Sequence, residues 1–296
     1  MKPASNVATL VERYFTERLM RQRNVSPNTI ASYRDTFRLL FTFAQAQLRK
    51  PPSTLTLDDL DAPLISAFLE DLEKRRGAGV RTRNLRLTAI RSFFRFVSFE
   101  EPAYSAHIQR VLAIPSKRHD KSQVQFLTRP EIEAILATPD RTTWLGRRDY
   151  SLLLLAAQTG LRLSELIGLD RDAIHLDHGA HVRCSGKGRK ERCTPLTTHA
   201  RVSLQVWLKE PARRGAKALF PNVHGGRLSA DSIQSMLAKH VRLACERCPS
   251  LKSKRISPHV LRHSAAMELL QAGVDSSVIA LWLGHAHLRQ FDLLNN

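Results

Sequence analysis

Four short clusters in the second half of the chain place a cation or an imidazole where the backbone must turn sharply, an arrangement suited to a phosphate ester. The first is Thr159-Gly160-Leu161-Arg162-Leu163-Ser164-Glu165-Leu166. Gly160 can close a preceding helix in a left-handed conformation and put Arg162 at the start of the next one. An anion held there would meet both a guanidinium and helix N-terminal amides, and Glu165 is spaced to brace Arg162 or a neighbouring histidine. Taken alone, Arg162 reads as an ordinary salt-bridge residue. The second cluster is Gly186-Lys187-Gly188-Arg189-Lys190-Glu191-Arg192. Two glycines around a lysine let a hairpin tip approach a nucleic-acid backbone closely, with Lys187 projecting and Arg189 and Lys190 beside it. In Ser257-Pro258-His259-Val260-Leu261-Arg262-His263 a helix starts at Ser257-Pro258, and His259 and Arg262, three apart, share a face. The last cluster, Leu281-Trp282-Leu283-Gly284-His285, ends an apolar helix at Gly284 and directs His285 off its end.

The elements that must hold these residues follow from apolar periodicity. Val7, Leu10, Val11, Tyr14 and Phe15 repeat at helical spacing. Ser26-Pro27 supplies an N-cap and a first-turn proline for a helix carrying Ile30, Tyr33, Phe37, Leu40 and Phe41. A third helix is expected from about Asp59, broken by Gly77 and Gly79. A fourth carries Leu85, Thr88, Ile90, Phe93, Phe94 and Val97. Its other side presents Arg81, Arg83, Asn84, Arg91 and Arg95 with few acids to balance them, which predicts phosphate contact. Residues 114–123 are polar, basic and proline-containing, the composition of an exposed linker. Thr128 and Glu131 then stand at capping-box spacing. Helical signals continue to Leu155, and near Ala180 the period switches to a strand, His181 to Cys184, before the glycine-flanked turn. Further helices are expected at about 199–209, 230–246, 258–272 and 275–283.

The 296 residues hold 46 Lys and Arg against 27 Asp and Glu, a formal charge of +19. Residues 1–120 carry 20 basic and 12 acidic side chains and the remainder 26 and 15, so both halves are basic. Such an excess repels itself in a compact state and points to a polyanionic partner, nucleic acid above membrane surface. No apolar run is long enough to span a bilayer, and no signal-peptide core follows Met1-Lys2-Pro3. Four cysteines do not make a disulfide scaffold, which suggests a reducing, cytoplasmic setting. Cys245 and Cys248 form a lone CxxC with no second pair at zinc spacing. Cys184 and Cys193 flank the expected hairpin and could face each other, with nothing asking for a metal.

Together the four clusters resemble the tyrosine recombinase (phage integrase) family. TGLRxSEL, GKGxKER…PL, HxLRHS and LGH stand in the family's order and at family-like separations. The N-terminal helices resemble its core-binding domain through SPNTIASYRDTFRLLFTFA and TRNLRLTAIRSFFRF, so the likeness, to XerC/XerD-like or mobile-element integrases, covers nearly the whole chain. It implies a mainly α fold: an N-terminal SAM-like helical core-binding domain over 1–113, a linker over 114–124, and a mixed α/β catalytic domain over 125–296 with a small antiparallel sheet. The implied partner is double-stranded DNA, on which family members assemble as a synaptic tetramer, and neither metal nor cofactor is implied. In the family reaction a tyrosine attacks a DNA phosphodiester, leaving a 3′-phosphotyrosyl bond and a free 5′-hydroxyl. By resemblance Arg162 and Arg262 clamp the non-bridging oxygens. Lys187 protonates the leaving 5′-oxygen, His259 is the general base, His285 hydrogen-bonds the phosphate and Glu165 supports the site.

The resemblance fails at one place. The family's tyrosine stands nine residues after the LGH histidine, and counting from His285 gives Leu294. A TxxIY-like helix start is absent after Leu288, and the chain's tyrosines are Tyr14, Tyr33, Tyr104 and Tyr150. The expectation is therefore a truncated or frameshifted homologue that binds DNA without forming the covalent intermediate, with tetramer assembly impaired by loss of the last helix. A DNA-binding regulator or competitor at recombination sites is the alternative. A metal-binding His285-x-His287 pair of a relaxase-type nuclease would need a third ligand and a different fold.

Overall fold

In the computed structural model residues 6–119, 125–185 and 191–284 are described, and the chain divides into two compact units, Met1–Lys121 and Ser122–Asn296. In the first unit α1 (Val7–Arg13) runs without a break into a π-helical stretch, Tyr14–Gln22. There the Arg23 amide reaches back to the Arg18 carbonyl at 3.1 Å, a wider turn than the apolar spacing anticipates. The start of α2 (Pro27–Leu48) is as expected: Ser26 Oγ accepts from the Thr29 amide at 3.3 Å, and Pro27 takes the first helical position. Asp61 caps α3 (Ala62–Lys74) by accepting from the Leu64 amide at 2.8 Å. The long α4 (Val80–Glu100) packs against α2, α3 and α5 (Ser105–Ala113). Their common core is aromatic, with Phe37–Phe93 and Tyr14–Phe93 in edge-to-face contact at 5.2 and 5.5 Å. Tyr14 is fully buried and donates to Ser92 Oγ at 2.7 Å.

The second unit opens with α6 (Arg129–Leu136), where Glu131 accepts from the Thr128 amide at 2.8 Å and from Lys254 Nζ at 2.6 Å. Leu152, Leu153, Leu154, Leu155, Ala156 and Ala157 are all buried, so α7 (Trp144–Thr159) is apolar on every side and forms the centre of the unit. Around it pack α9 (Thr198–Lys209) and α11 (Pro258–Gln271). To the same unit belong α8 (Leu163–Gly168), α10 (Ala230–Ala244), which reaches α7 through His240 and Asp149, and the short apolar α12 (Ser276–Leu283). An antiparallel sheet of β1 (Ile174–His175), β2 (His181–Ser185) and β3 (Glu191–Pro195) lies beside α8 and α12 in the order β1-β2-β3.

The register of the hairpin corrects the cysteine expectation. Cys184 pairs with Arg192 and Arg183 with Cys193, so Cys184 lies on the buried face and Cys193 on the exposed one. Because successive strand side chains alternate, the two thiols point to opposite sides. Among the described residues no helix is long and apolar enough to cross a membrane, and no group of three metal-ligating side chains is found.

Candidate phosphate site and nucleic-acid face

The candidate site in the second unit is built where two helices end. A helix leaves its last four carbonyls without intrahelical partners, with the negative end of its dipole beside them. Gly160 ends α7 in the left-handed conformation, φ +60°, as its place in the first cluster predicts. A Cβ there would stand 2.7 Å from Leu283 Cδ2 and 3.2 Å from Ala265 Cβ, so only glycine lets α7 meet α11 and α12 this closely. The exposed carbonyls of α7 are then taken up by the neighbours: Trp282 Nε1 donates to Thr159 O at 3.2 Å and Arg262 Nη1 to Gly160 O at 2.6 Å.

The end of α12 is met by three arginines. Arg192 Nε donates to Trp282 O at 3.1 Å, Arg262 Nη2 to Leu283 O at 2.7 Å and Arg162 Nη2 to Gly284 O at 3.0 Å. Three consecutive carbonyls thus gather three guanidiniums from β3, α11 and the entry to α8. One carboxylate lies among them. Glu165, its side chain only 2% exposed, accepts from Arg162 Nη1 at 3.0 Å and forms a two-point pair with Arg192 at 2.7 and 2.9 Å. Its Oε2 also accepts the Arg162 amide at 2.7 Å. The helix-start amide that the sequence reserved for a bound anion is therefore occupied by Glu165, because a carboxylate three residues on reaches it intramolecularly.

The electrostatics follow from this count of charges. Burial would raise the Glu165 carboxyl, but the Arg192 side chain, the Arg162 amide and both positive charges hold it below the usual range. Burial works against the Arg192 guanidinium as well, and Glu165 outweighs it, so its pKa is raised. Arg262 is different. It is 6% exposed, has no carboxylate within ion-pairing distance among the described residues, and is pushed down to about 10 by burial and then by the Arg162 charge. His259 is exposed one turn before Arg262 on α11. His263 beyond it is held below the ordinary imidazole value by burial, by His259 and by Arg262, which keeps it neutral at pH 7.

Of the residues expected at this site, Arg162, Glu165 and Arg262 converge, and His259 shares the helix of Arg262. Lys187, Arg189, Lys190, His285 and Leu294 lie outside the described residues. Arg192 was grouped with a basic turn and missed as a site residue. The available signal was its place in a strand: alternation puts it on the buried face, opposite Cys184.

The expected DNA face of α4 is only partly presented to solvent. Arg83 is 6% exposed and donates to Pro115 O at 2.9 Å and to Asn84 Oδ1 at 3.1 Å. Asn84 exchanges two hydrogen bonds with the Lys117 backbone, at 2.8 and 3.1 Å, and Arg91 donates to Ile114 O and to Ser116 Oγ. Residues 115–117 are exposed, as expected of a linker, and their segment also lies as a strap on α4 through the carbonyls of Ile114, Pro115 and Lys117. The physical reason is a row of unpaired backbone carbonyls beside a helix face rich in donors. Arg81 and Arg95 remain exposed.

Tyr14, Tyr33 and Tyr104 belong to the first unit. Tyr150 bonds His199 at 2.9 Å, ten residues before Gly160 on α7, or about 15 Å along the helix axis.

The model of the phage integrase family matches residues 125–292, and that of its N-terminal SAM-like domain matches residues 12–101. The chain is 59% identical over 285 residues to a Sinorhizobium fredii protein described as an integrase/recombinase, covering 96% of this chain and 86% of that one. It is 34% identical over 278 residues to the tyrosine recombinase XerC of Pelotomaculum thermopropionicum, 90% of this chain and 87% of the relative. Among solved structures it resembles XerH recombinase bound to a palindromic difH substrate, with a TM-score of 0.72 at 21% identity, over 100% of this chain and 86% of that one. A lambda integrase tetramer bound to a Holliday junction gives 0.68 at 18% identity, over 98% and 78%. At these identities the structural likenesses speak for the fold.

Proposed function

The chain belongs to the phage integrase family of tyrosine recombinases, and from that premise we propose that its second unit grips a single phosphodiester of duplex DNA without cutting it. The observation that carries this reading is the charge count at the end of α12: among the described residues three guanidiniums face one carboxylate, and the most buried of them, Arg262, pairs with no carboxylate there. An isolated buried cation costs several kcal/mol, and a phosphate with two non-bridging oxygens would offset it. Arg162 and Arg262 are the two that take those oxygens, with Glu165 as support.

The reaction of the family needs a tyrosine oxygen to bond to phosphorus while the 5′-oxygen leaves and takes a proton. Lys187 is proposed as the donor of that proton, His259 as the base that receives the attacking proton, and His285 as a further phosphate donor. This chain has Leu294 at the tyrosine position. With no hydroxyl there, phosphate is bound and polarised and no phosphotyrosyl bond forms from that position. Arg81, Arg95, Arg189 and Lys190 are proposed to neutralise flanking phosphates, which fits the basic charge of both halves.

The test uses a duplex selected by the chain from a random pool, nicked near the cut so that a covalent product cannot reverse. Tight, steeply salt-dependent binding without any denaturant-resistant protein–DNA adduct is expected. An adduct formed by the unaltered chain overturns the non-cutting half of the reading, and a flat salt response overturns the binding half. The missing tyrosine also favours a second reading, a competitor that occupies recombination sites. It predicts that the chain blocks recombination by a tyrosine-bearing relative in proportion to site occupancy.

A further inference from the structure

Among the described residues, Arg192 is the one guanidinium of the three whose every nitrogen is committed. Nη1 and Nη2 hold the two oxygens of Glu165 at 2.7 and 2.9 Å, and Nε holds Trp282 O at 3.1 Å. Arg162, by contrast, spends Nη1 on Glu165 and Nη2 on Gly284 O, and its side chain stays 29% exposed where that of Arg192 is 13%. We propose that Arg192 is a positioning residue: it fixes the plane of the Glu165 carboxylate, which in turn aims Arg162 at the phosphate, and it ties β3 to the end of α12. The inference rests on the phosphate-gripping reading above and adds a residue to it.

The acceptor arithmetic supports this role. A carboxylate offers about four lone-pair sites, and Glu165 uses four, two for the Arg192 fork and two for the amide and Nη1 of Arg162. A planar fork against both oxygens sets the orientation of the carboxylate, which a single-point contact would leave free to rotate. With the Arg192 fork gone, the Glu165 carboxylate can turn about its terminal torsion, and the Arg162 guanidinium turns with it.

The second link runs through Gly284. Its φ is +67°, and a Cβ there would stand 2.6 Å from Arg192 Nη1 and 3.0 Å from Cζ. The guanidinium thus lies close against the turn at Gly284. Arg192 also follows by five residues the Lys187 of the β2–β3 connection and pairs with Cys184 on the other strand. One side chain therefore joins the leg of the lysine-bearing hairpin, the carboxylate behind Arg162 and the end of the helix that precedes His285.

The experiment compares two versions of the selected duplex, one all-phosphate and one with a neutral methylphosphonate placed in turn at each internucleotide position. Wild-type chain is expected to bind the all-phosphate duplex about tenfold or more tightly than the version neutralised at the gripped position, the scale of a charge-assisted hydrogen bond. Arg192→Gln is expected to bring the two affinities within about twofold, and Glu165→Gln to do the same with no further loss in the double variant. Arg192→Lys keeps the charge, lacks the fork and should fail likewise. It serves if Arg192→Gln does not fold, as judged by thermal melting. A general loss of structure lowers both affinities together and preserves their ratio, whereas lost aim collapses the ratio. A wild type with no discriminating position overturns the phosphate reading itself. A wild type that discriminates, with Arg192→Lys discriminating equally, overturns the role of Arg192 alone.

Discussion

The two units each gather arginines against backbone carbonyls, and they finish the task differently. On α4, Arg83 and Arg91 bond the strap at 114–117, but Nε of each is buried and without a partner among the described residues. Among the described residues no carboxylate pairs with them, and burial followed by the charges of Arg95 and Arg83 lowers the Arg91 pKa. At the end of α12, Glu165 lies between Arg162 and Arg192, holding Arg192 by a two-point fork and Arg162 by one guanidinium nitrogen and its backbone amide. A carboxylate gives buried arginines directed partners that carbonyls alone leave partly unmade. An unsatisfied buried donor costs about 1–3 kcal/mol, so the strap is held at a cost that, among the described residues, the arginines at the end of α12 avoid. Arg262, the exception in that unit, is also the residue best suited to receive an outside anion.

The sharpest way to break the comparison is to remove the organising carboxylate. Glu165→Ala leaves two guanidiniums facing each other in a buried site and is expected to destabilise the second unit by about 3–5 kcal/mol. Trp144, Trp207 and Trp282 all lie in that unit, so the denaturant midpoint followed by tryptophan fluorescence reports it selectively. A loss below that from Arg83→Ala would mean the carboxylate does not set the two clusters apart.

A second prediction concerns pH. The Glu165 carboxyl is lowered in the folded state, so the stability it contributes is complete above the ordinary glutamate value, about 4.3. It is lost as pH falls from there through the lower folded value. The stability gap between wild type and Glu165→Gln should therefore be constant near neutrality and narrow on acidification. A gap that widens toward low pH would contradict the assigned charge.

Smaller effects are expected on α4. Arg83→Ala should cost about 1–2 kcal/mol, since lost hydrogen bonds are partly offset by removing an orphaned Nε. Faster amide exchange at 114–117, with the second unit unchanged, is the measurement, and unchanged protection there would argue against the strap. Smallest of all, Arg81→Ala and Arg95→Ala should each lower the slope of log affinity against log salt by about 1 without altering stability. If Arg83→Ala lowers the slope as much while Arg81→Ala does not, the strapped face is the one that meets DNA.

Much of this protein was decided by local chemistry that a sequence carries openly. Ser26-Pro27, Thr128 with Glu131, and Gly160 specify helix ends because capping and left-handed φ depend on residues a few positions apart. The apolar periods that place α9 to α12 depend on equally short spacings, and the motifs around Arg162 and Arg262 were legible for the same reason. Only the tertiary structure decided where each guanidinium spends its hydrogens. Arg83, Asn84 and Arg91 read as an open phosphate face because their partners lie 23 to 33 residues away in 114–117. Arg192 looked like part of a turn because its partners, Glu165 and Trp282, lie 27 residues before it and 90 after. Arginine makes several directed bonds over a long side chain, so its role is set by which carbonyls and carboxylates the fold brings within reach.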